Sequence, residues 1–155
     1  MRRLNSYETK SPWHLHRLEL IKYYLTKKYE ELERPLSIID IGCGTGEVLS
    51  QLKDELYIKS VEGIEINTLG QQICRNKGLA VHPGDIENLP LLGKHYDVIL
   101  CLDVFYDQTI DVYNSLINFK QFLNTNSIVI INSAALNIFS GVDDSLDDGK
   151  KIILE

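Results

Sequence analysis

Three glycines spaced two apart, Gly42, Gly44 and Gly46, and three later carboxylates, Glu65, Asp85 and Asp103, are the residues of this chain whose types and spacing suit chemistry. The glycines lie in SIIDIGCGTGEV, residues 37–48, directly behind an apolar run of Ile38, Ile39 and Ile41. Glycine turns tightly, takes positive φ and lets a ligand approach the backbone. The β-branched run before it suits a buried strand, and Val48, Leu49, Leu52 and Leu56 after it have helical spacing. A strand, a glycine loop and a helix N-terminus together form a ligand-binding edge.

The spacing narrows the ligand. A triphosphate loop needs GxxxxGK[ST], whose lysine meets phosphate charge; here Glu47 follows the last glycine and no lysine is near. The dinucleotide fingerprint GxGxxG needs glycine where Glu47 stands, and the spacing here is GxGxG. Glu65 lies at a suitable distance to accept hydrogen bonds from a ribose, which NAD and other adenosine ligands share. A carboxylate there repels a 2′-phosphate, which disfavours NADP.

The elements that must position these residues follow from periodicity and breakers. Ser11 and Pro12 start a helix in which Leu15, Leu18, Ile21, Tyr24 or Leu25, and Leu32 recur at helical spacing. Trp13, His14, His16 and Arg17 cluster on its opening turns, either as a cover over the pocket or as a packed Trp with solvated neighbours. A second strand is expected at Ile58–Ile66, reaching Glu65, with Asn67 capping the next helix and Gly78 closing it. Leu79–His82 is a third strand, closed by Pro83-Gly84 and followed by Asp85. Tyr96–Leu102 is a fourth, with Asp103 at its end; a helix over about 111–123 and a fifth strand at Ser127–Asn132 complete the series. Alternating strands and helices predict an α/β fold, doubly wound and Rossmann-like, with a mostly parallel sheet and helices on both faces. Ligands of such sheets bind at the strands' carboxyl ends, where the glycine loop, Glu65, Asp85 and Asp103 all fall.

The 155 residues suit one domain, and a formal net charge of −6 argues against a general nucleic-acid binder. The opening MRRLNSYETK has no apolar core and is not read as a secretory signal. No apolar run approaches a membrane span. Cys43, Cys74 and Cys101 form no CxxC pair, so neither a metal site nor a redox motif is expected; free thiols suit a reduced compartment, and a cytoplasmic location follows by elimination.

DIGCGTG, Glu65 in GIEIN, GDIENLP and YDVILCLDV, in that order, resemble the successive motifs of class I S-adenosylmethionine-dependent methyltransferases of the small-molecule type, over residues 13–132. The resemblance implies a single domain over 1–155: an N-terminal helical cover at 1–36, a cofactor-binding core at 37–132 and a short tail at 133–155. It implies that Asp40 and the backbone of Gly42, Cys43, Gly44 and Gly46 hold the methionine part of the cofactor. Glu65 takes both ribose hydroxyls with Ile66 against the adenine, Asp85 accepts from the adenine amino group beside Ile86, and Leu102 and Asp103 line the methyl-donating end. A vicinal diol offers two donors to one carboxylate, and charge-assisted bonds are the stronger kind. Acidic walls also suit a positively charged sulfonium ligand.

Methyl transfer is an in-line displacement, so positioning two reactants supplies much of the acceleration. Where the acceptor needs a general base, the candidates are Asp103, Tyr106, Asp107, His14 and His16. Among these candidates Asp103 is the choice for a catalytic residue, because a strand-end carboxylate faces the crevice; that it only lines the cofactor site is the better reading of it. Many small-molecule members carry Leu-Glu-His where this chain has Phe105-Tyr106-Asp107. The 23 residues from Ser133 to Glu155 are short for the family's closing helix and strand pair, which implies truncation after the fifth strand. The apolar edge of that strand is then expected to be covered by KKIIL as an antiparallel strand, or by a second copy in a homodimer. Asp144, Asp148, Gly149 and Glu155 fall at calcium-loop positions, but Leu146 occupies a ligand position, and a solvated acidic turn is the better reading. A non-catalytic S-adenosylmethionine-binding module is the second functional reading, and an NAD-binding oxidoreductase, disfavoured by Glu47, the third.

Overall fold

The structure, a computed structural model, describes residues 12–105, 109–132 and 152–154. The expectations placed on Ser11, the side chain of Trp13, Tyr106, Asp107, residues 133–151 and Glu155 lie outside the described residues.

Among the described residues, helix α1 (Pro12–Leu32) comes first, with Pro12 at its first position, and leads to β1 (Leu36–Ile41) and the glycine loop. Then come α2 (Glu47–Leu52), β2 (Ile58–Glu65), α3 (Thr68–Asn76), β3 (Ala80–Pro83), β4 (Tyr96–Leu102) and α4 (Val112–Phe119). A short 3₁₀ turn (Lys120–Phe122) precedes β5 (Leu123–Asn132), and β6 (Ile152–Leu154) closes the series. Asn67 caps α3 by accepting from the N–H groups of Leu69 and Gly70, and Gly78 follows α3 at φ +74°, as expected from their residue types.

The sheet has the order β3-β2-β1-β4-β5-β6, parallel through its first five strands. Successive connections leave β1 in opposite directions, toward β2 and β4, so the switch point lies at the carboxyl end of β1, where the glycines are. β6 runs antiparallel to β5, with Ile152, Ile153 and Leu154 opposite Ile131, Ile130 and Val129. The chain itself therefore covers the apolar β5 edge, one of the two expected arrangements.

Strand alternation divides the core. On one face Ile39, Ile41, Ile64, Ile99 and Cys101 pack with Phe119 and Phe122; on the other Ile38, Val98 and Leu100 pack with Ile21 and Leu25 of α1. Asp40 alternates with Ile39 and Ile41, which puts it on the face that α1 covers. The helix after the glycine loop stops at Leu52, and Leu56, expected on its apolar side, is 96% exposed. Residues 53–57 turn instead, so that Tyr57 can present its carbonyl to Leu36 N–H at 2.9 Å. The helix expected to reach residue 123 tightens after Phe119, because a 3₁₀ turn eclipses i and i+3 and sends Phe119 and Phe122 into the same core. At the amino ends of the two central strands, Arg34 donates twice to Asp97, at 3.0 and 2.7 Å, while Ser37 donates its N–H and hydroxyl to the same carboxylate. This network locks the starts of β1 and β4 together.

Candidate functional site

The glycine loop is forced into shape at two positions. Gly42 has φ +77°, and a Cβ there would lie 2.5 Å from Val104 Cγ2; Gly46 has φ +71°, and its Cβ would lie 2.4 Å from Leu79 Cδ1. No L side chain fits either place without displacing a neighbour. Four of the loop's N–H groups are already engaged within the protein. Gly42 and Cys43 both donate to Ile64 O, at 2.8 and 3.1 Å, Gly46 donates to Cys43 O at 2.9 Å, and Gly44 donates to Glu65 Oε2 at 2.7 Å. A phosphate cradle needs such N–H groups pointing at the ligand, so this loop is built for close approach rather than for anion capture.

Glu65, 7% exposed at the end of β2, is held by that bond and by a second, from Asn67 N–H to Oε1 at 2.7 Å. Each oxygen keeps a further lone pair. Asp85 accepts from the N–H groups of Glu87 and Asn88 through Oδ1, both at 2.8 Å, which shapes the loop after β3. Asp103 stands just past β4 at φ +55°, its N–H donating to Asn132 O at 2.7 Å. Its carboxylate is ion-paired with the guanidinium of Arg17, which also lies 3.0 Å from His14 Nδ1. The first turns of α1 thus stand beside the carboxyl end of β4, where Arg17 meets Asp103.

A cavity of about 410 Å³ opens at this edge, large enough for a small organic ligand. Gly42, Glu65, Ile66, Asp85, Ile86 and Asp103 line it together. Gly84, Glu87, Val104, Thr109 and Ile110 complete its walls; these five sequence reasoning missed. The turn signal at Pro83-Gly84 and the apolar Val104 beside Asp103 were the available hints. Five predicted site residues lie off the cavity wall: Asp40, Cys43, Gly44, Gly46 and Leu102. Gly44 acts at one remove, through its bond to Glu65. Cys43 turns its side chain away, toward Gly63 and Cys74, with the two sulfurs 3.9 Å apart, and burial pushes its thiol up. Leu102 packs in the core beneath α1.

Asp40 is 3% exposed, and its Oδ1 has no hydrogen-bond partner among the described residues. Burial pushes its carboxyl up to about 8; Arg17 opposes the rise and Glu65 adds to it. A smaller cavity of about 80 Å³ lies between α1 and α2, lined by His14, Arg17 and Glu47 among others. Among the described residues, no cluster of histidine, cysteine and carboxylate side chains could hold a metal ion, and no helix is long and apolar enough to cross a membrane.

Residues 13–148 match the family described as Methyltransferase domain. The chain is 32% identical over 82 residues to phthiotriol/phenolphthiotriol dimycocerosates methyltransferase 1 of Mycobacterium ulcerans (strain Agy99), covering 50% of this chain and 30% of that protein. It is 27% identical over 121 residues to the ubiquinone biosynthesis O-methyltransferase of Rickettsia prowazekii (strain Madrid E), covering 76% of this chain and 47% of the relative. Its fold is similar to that of an amino pentose methyltransferase from Micromonospora echinaspora, solved with S-adenosylmethionine bound (TM-score 0.65, 18% identity, 86% of this chain and 56% of the other). The chain spans less than half the length of both curated relatives.

Proposed function

The chain belongs to the methyltransferase domain family, and we propose that it transfers a methyl group from S-adenosylmethionine to a small-molecule acceptor. The observation that carries this reading is the cavity at the switch point, where Gly42, Glu65, Asp85 and Asp103 meet. The sulfonium cofactor of the Micromonospora echinaspora structure and the small-molecule pathways named for the relatives support it.

The residues present fit that cofactor. Glu65 is fixed by two backbone N–H groups and keeps one lone pair on each oxygen, the number a ribose diol needs. Asp85 has Oδ1 committed to two backbone N–H groups of its own loop, while Oδ2 receives only a long bond from Asn88 Nδ2, at 3.5 Å, and keeps a lone pair for an adenine amino group, with Ile66 and Ile86 as apolar walls. Asp40, with a buried acceptor atom lacking a partner, suits the positively charged methionine end beside the loop. When bound, the cofactor supplies an electrophilic methyl group.

Asp103 is assigned to the acceptor side of the cavity. Its left-handed backbone turns the chain sharply after β4, and Arg17 fixes its carboxylate from above. An acceptor docking there meets a positioned hydrogen-bond acceptor, able to orient a hydroxyl or amine and to take its proton once Arg17 yields. The three free thiols favour a reducing, cytoplasmic setting. The test is release of S-adenosylhomocysteine by the purified protein across a small-molecule acceptor panel, with Asp103→Asn beside wild type. Turnover with an acceptor, lost in Asp103→Asn, supports the assignment; turnover retained in Asp103→Asn contradicts the role of Asp103, and binding of the cofactor without turnover on any acceptor contradicts the transfer itself.

A further inference from the structure

Three carboxylates gather near the carboxyl ends of neighbouring central strands: Asp40 of β1, Glu65 at the end of β2 and Asp103 just past β4. The cation that α1 sets against them is Arg17, and its guanidinium is bonded to Asp103. Glu65 is settled by two backbone N–H groups. Asp40 has neither kind of support at Oδ1, in a place almost closed to solvent. The other titratable groups around it, Cys43 of the glycine loop and Cys101 of β4, are thiols that burial keeps neutral, so they bring it no positive charge. The more distant cation Lys77 is paired with Glu47. Where the cost of burial outweighs the pull of a nearby cation already bonded elsewhere, as it does for Asp40 beside Arg17, a carboxyl is more stable protonated than charged.

We propose that this site takes up its positively charged ligand in exchange for a proton, which Asp40 holds in the empty protein and gives up on binding. The step balances: Asp40 goes from carboxylic acid to carboxylate, the proton leaves to solvent, and the positive charge arriving in the neighbouring cavity offsets the new negative charge. Burial that raises the carboxyl to about 8 in the empty protein makes the proton present at neutral pH. The inference rests on the cofactor reading above, and it assigns to Asp40 a selective role: a ligand lacking positive charge leaves the proton where it is.

The experiment is isothermal titration of the protein with S-adenosylmethionine at pH 6.5, in buffers of different ionisation enthalpy. About one proton is expected to be released per ligand bound, and affinity is expected to tighten about tenfold from pH 6 to pH 7. Asp40→Asn, which resembles the protonated side chain in shape, is expected to fold, to release no proton and to bind with no such pH dependence. Binding by wild type without proton release overturns the inference and leaves the cofactor reading standing, as does equal release from Asp40→Asn. Where Asp40→Asn binds too weakly to titrate, the wild-type affinity decides, and a flat profile between pH 6 and 7 overturns the inference. Absence of any binding by wild type overturns both.

Discussion

The carboxylate of Glu65 accepts the backbone N–H of Gly44 at 2.7 Å, although 21 positions separate them in sequence. One oxygen thus fixes the middle of the glycine loop while the other receives Asn67 N–H at the start of α3. The same side chain shapes the loop and faces the cavity, so its loss should be felt in both.

For Glu65→Ala, the affinity for S-adenosylmethionine is expected to fall ten- to a hundredfold, since hydrogen bonds to a charged group are worth about 1.5–3 kcal/mol. Glu65→Gln should also weaken binding, because its NH₂ must face an N–H of either Gly44 or Asn67. Titration calorimetry reads both. Wild-type affinity in Glu65→Ala would remove this residue from the site.

The three loop glycines should not respond alike. Gly44 stands at φ +57° with open space where a Cβ would go, so Gly44→Ala carries the left-handed backbone cost alone, about 1–2 kcal/mol. Gly46→Ala adds overlap with Leu79 and Cys74, about 1–3 kcal/mol more. Gly42→Ala presses on Val104 in the cavity wall and should weaken ligand binding as well. Urea unfolding of the three variants orders them; equal destabilisation of Gly44→Ala and Gly46→Ala would show that packing behind the loop does not matter.

Much of this was legible in the chain because local chemistry decided it. Asn67 and Gly78 bracket α3 by capping, and the apolar run Tyr96–Leu102 is β4 to the residue. Parallel strands carry their carboxyl ends to one edge, so placing Glu65, Asp85 and Asp103 at strand ends was enough to bring them to one cavity. What stayed hidden depends on distant partners. Nothing local to Arg17 reveals that it meets Asp103, 86 positions away, and nothing near Asp97 reveals Arg34 and Ser37. The orientation of Cys43 is set by the absence of a side chain at Gly63. Leu56 misled because helical spacing continues past Leu52 while the backbone leaves the helix to meet β1.

Asp97 should be a stability residue with no part in ligand binding. It is 3% exposed and receives bonds from Arg34 and Ser37, which, against the opposing cost of burial, hold its carboxyl down at about 2. A depressed carboxylate stabilises the fold above its ordinary value of 3.8 and loses that contribution as pH falls toward 2. Asp97→Ala is expected to cost roughly 3 kcal/mol at neutral pH, measured by urea unfolding, and to flatten the acid limb of the stability profile. A loss below about 0.5 kcal/mol would mean the network is merely a surface pair.

Asp40 has the opposite sign. Its carboxyl rises from 3.8 to about 8 in the fold, so its contribution is fully present below about pH 4 and is lost as pH rises through 8. Without ligand, Asp40→Asn should therefore be more stable than wild type above pH 8, by roughly 2 kcal/mol or about 4–8 °C in Tm, with the gap closing toward pH 5. Thermal unfolding at several pH values checks this, and a variant less stable than wild type at pH 8.5 would contradict it.

The most direct test of the cleft as an S-adenosylmethionine site is a thermal-shift comparison of S-adenosylmethionine, S-adenosylhomocysteine and NAD on the wild-type chain. At about a hundred times its Kd, a ligand of the folded state adds about 2.7 kcal/mol, which is readily visible as a rise in Tm. Stabilisation by the methionine cofactor and its product, with none from NAD, is the predicted result; stabilisation by NAD alone would contradict it.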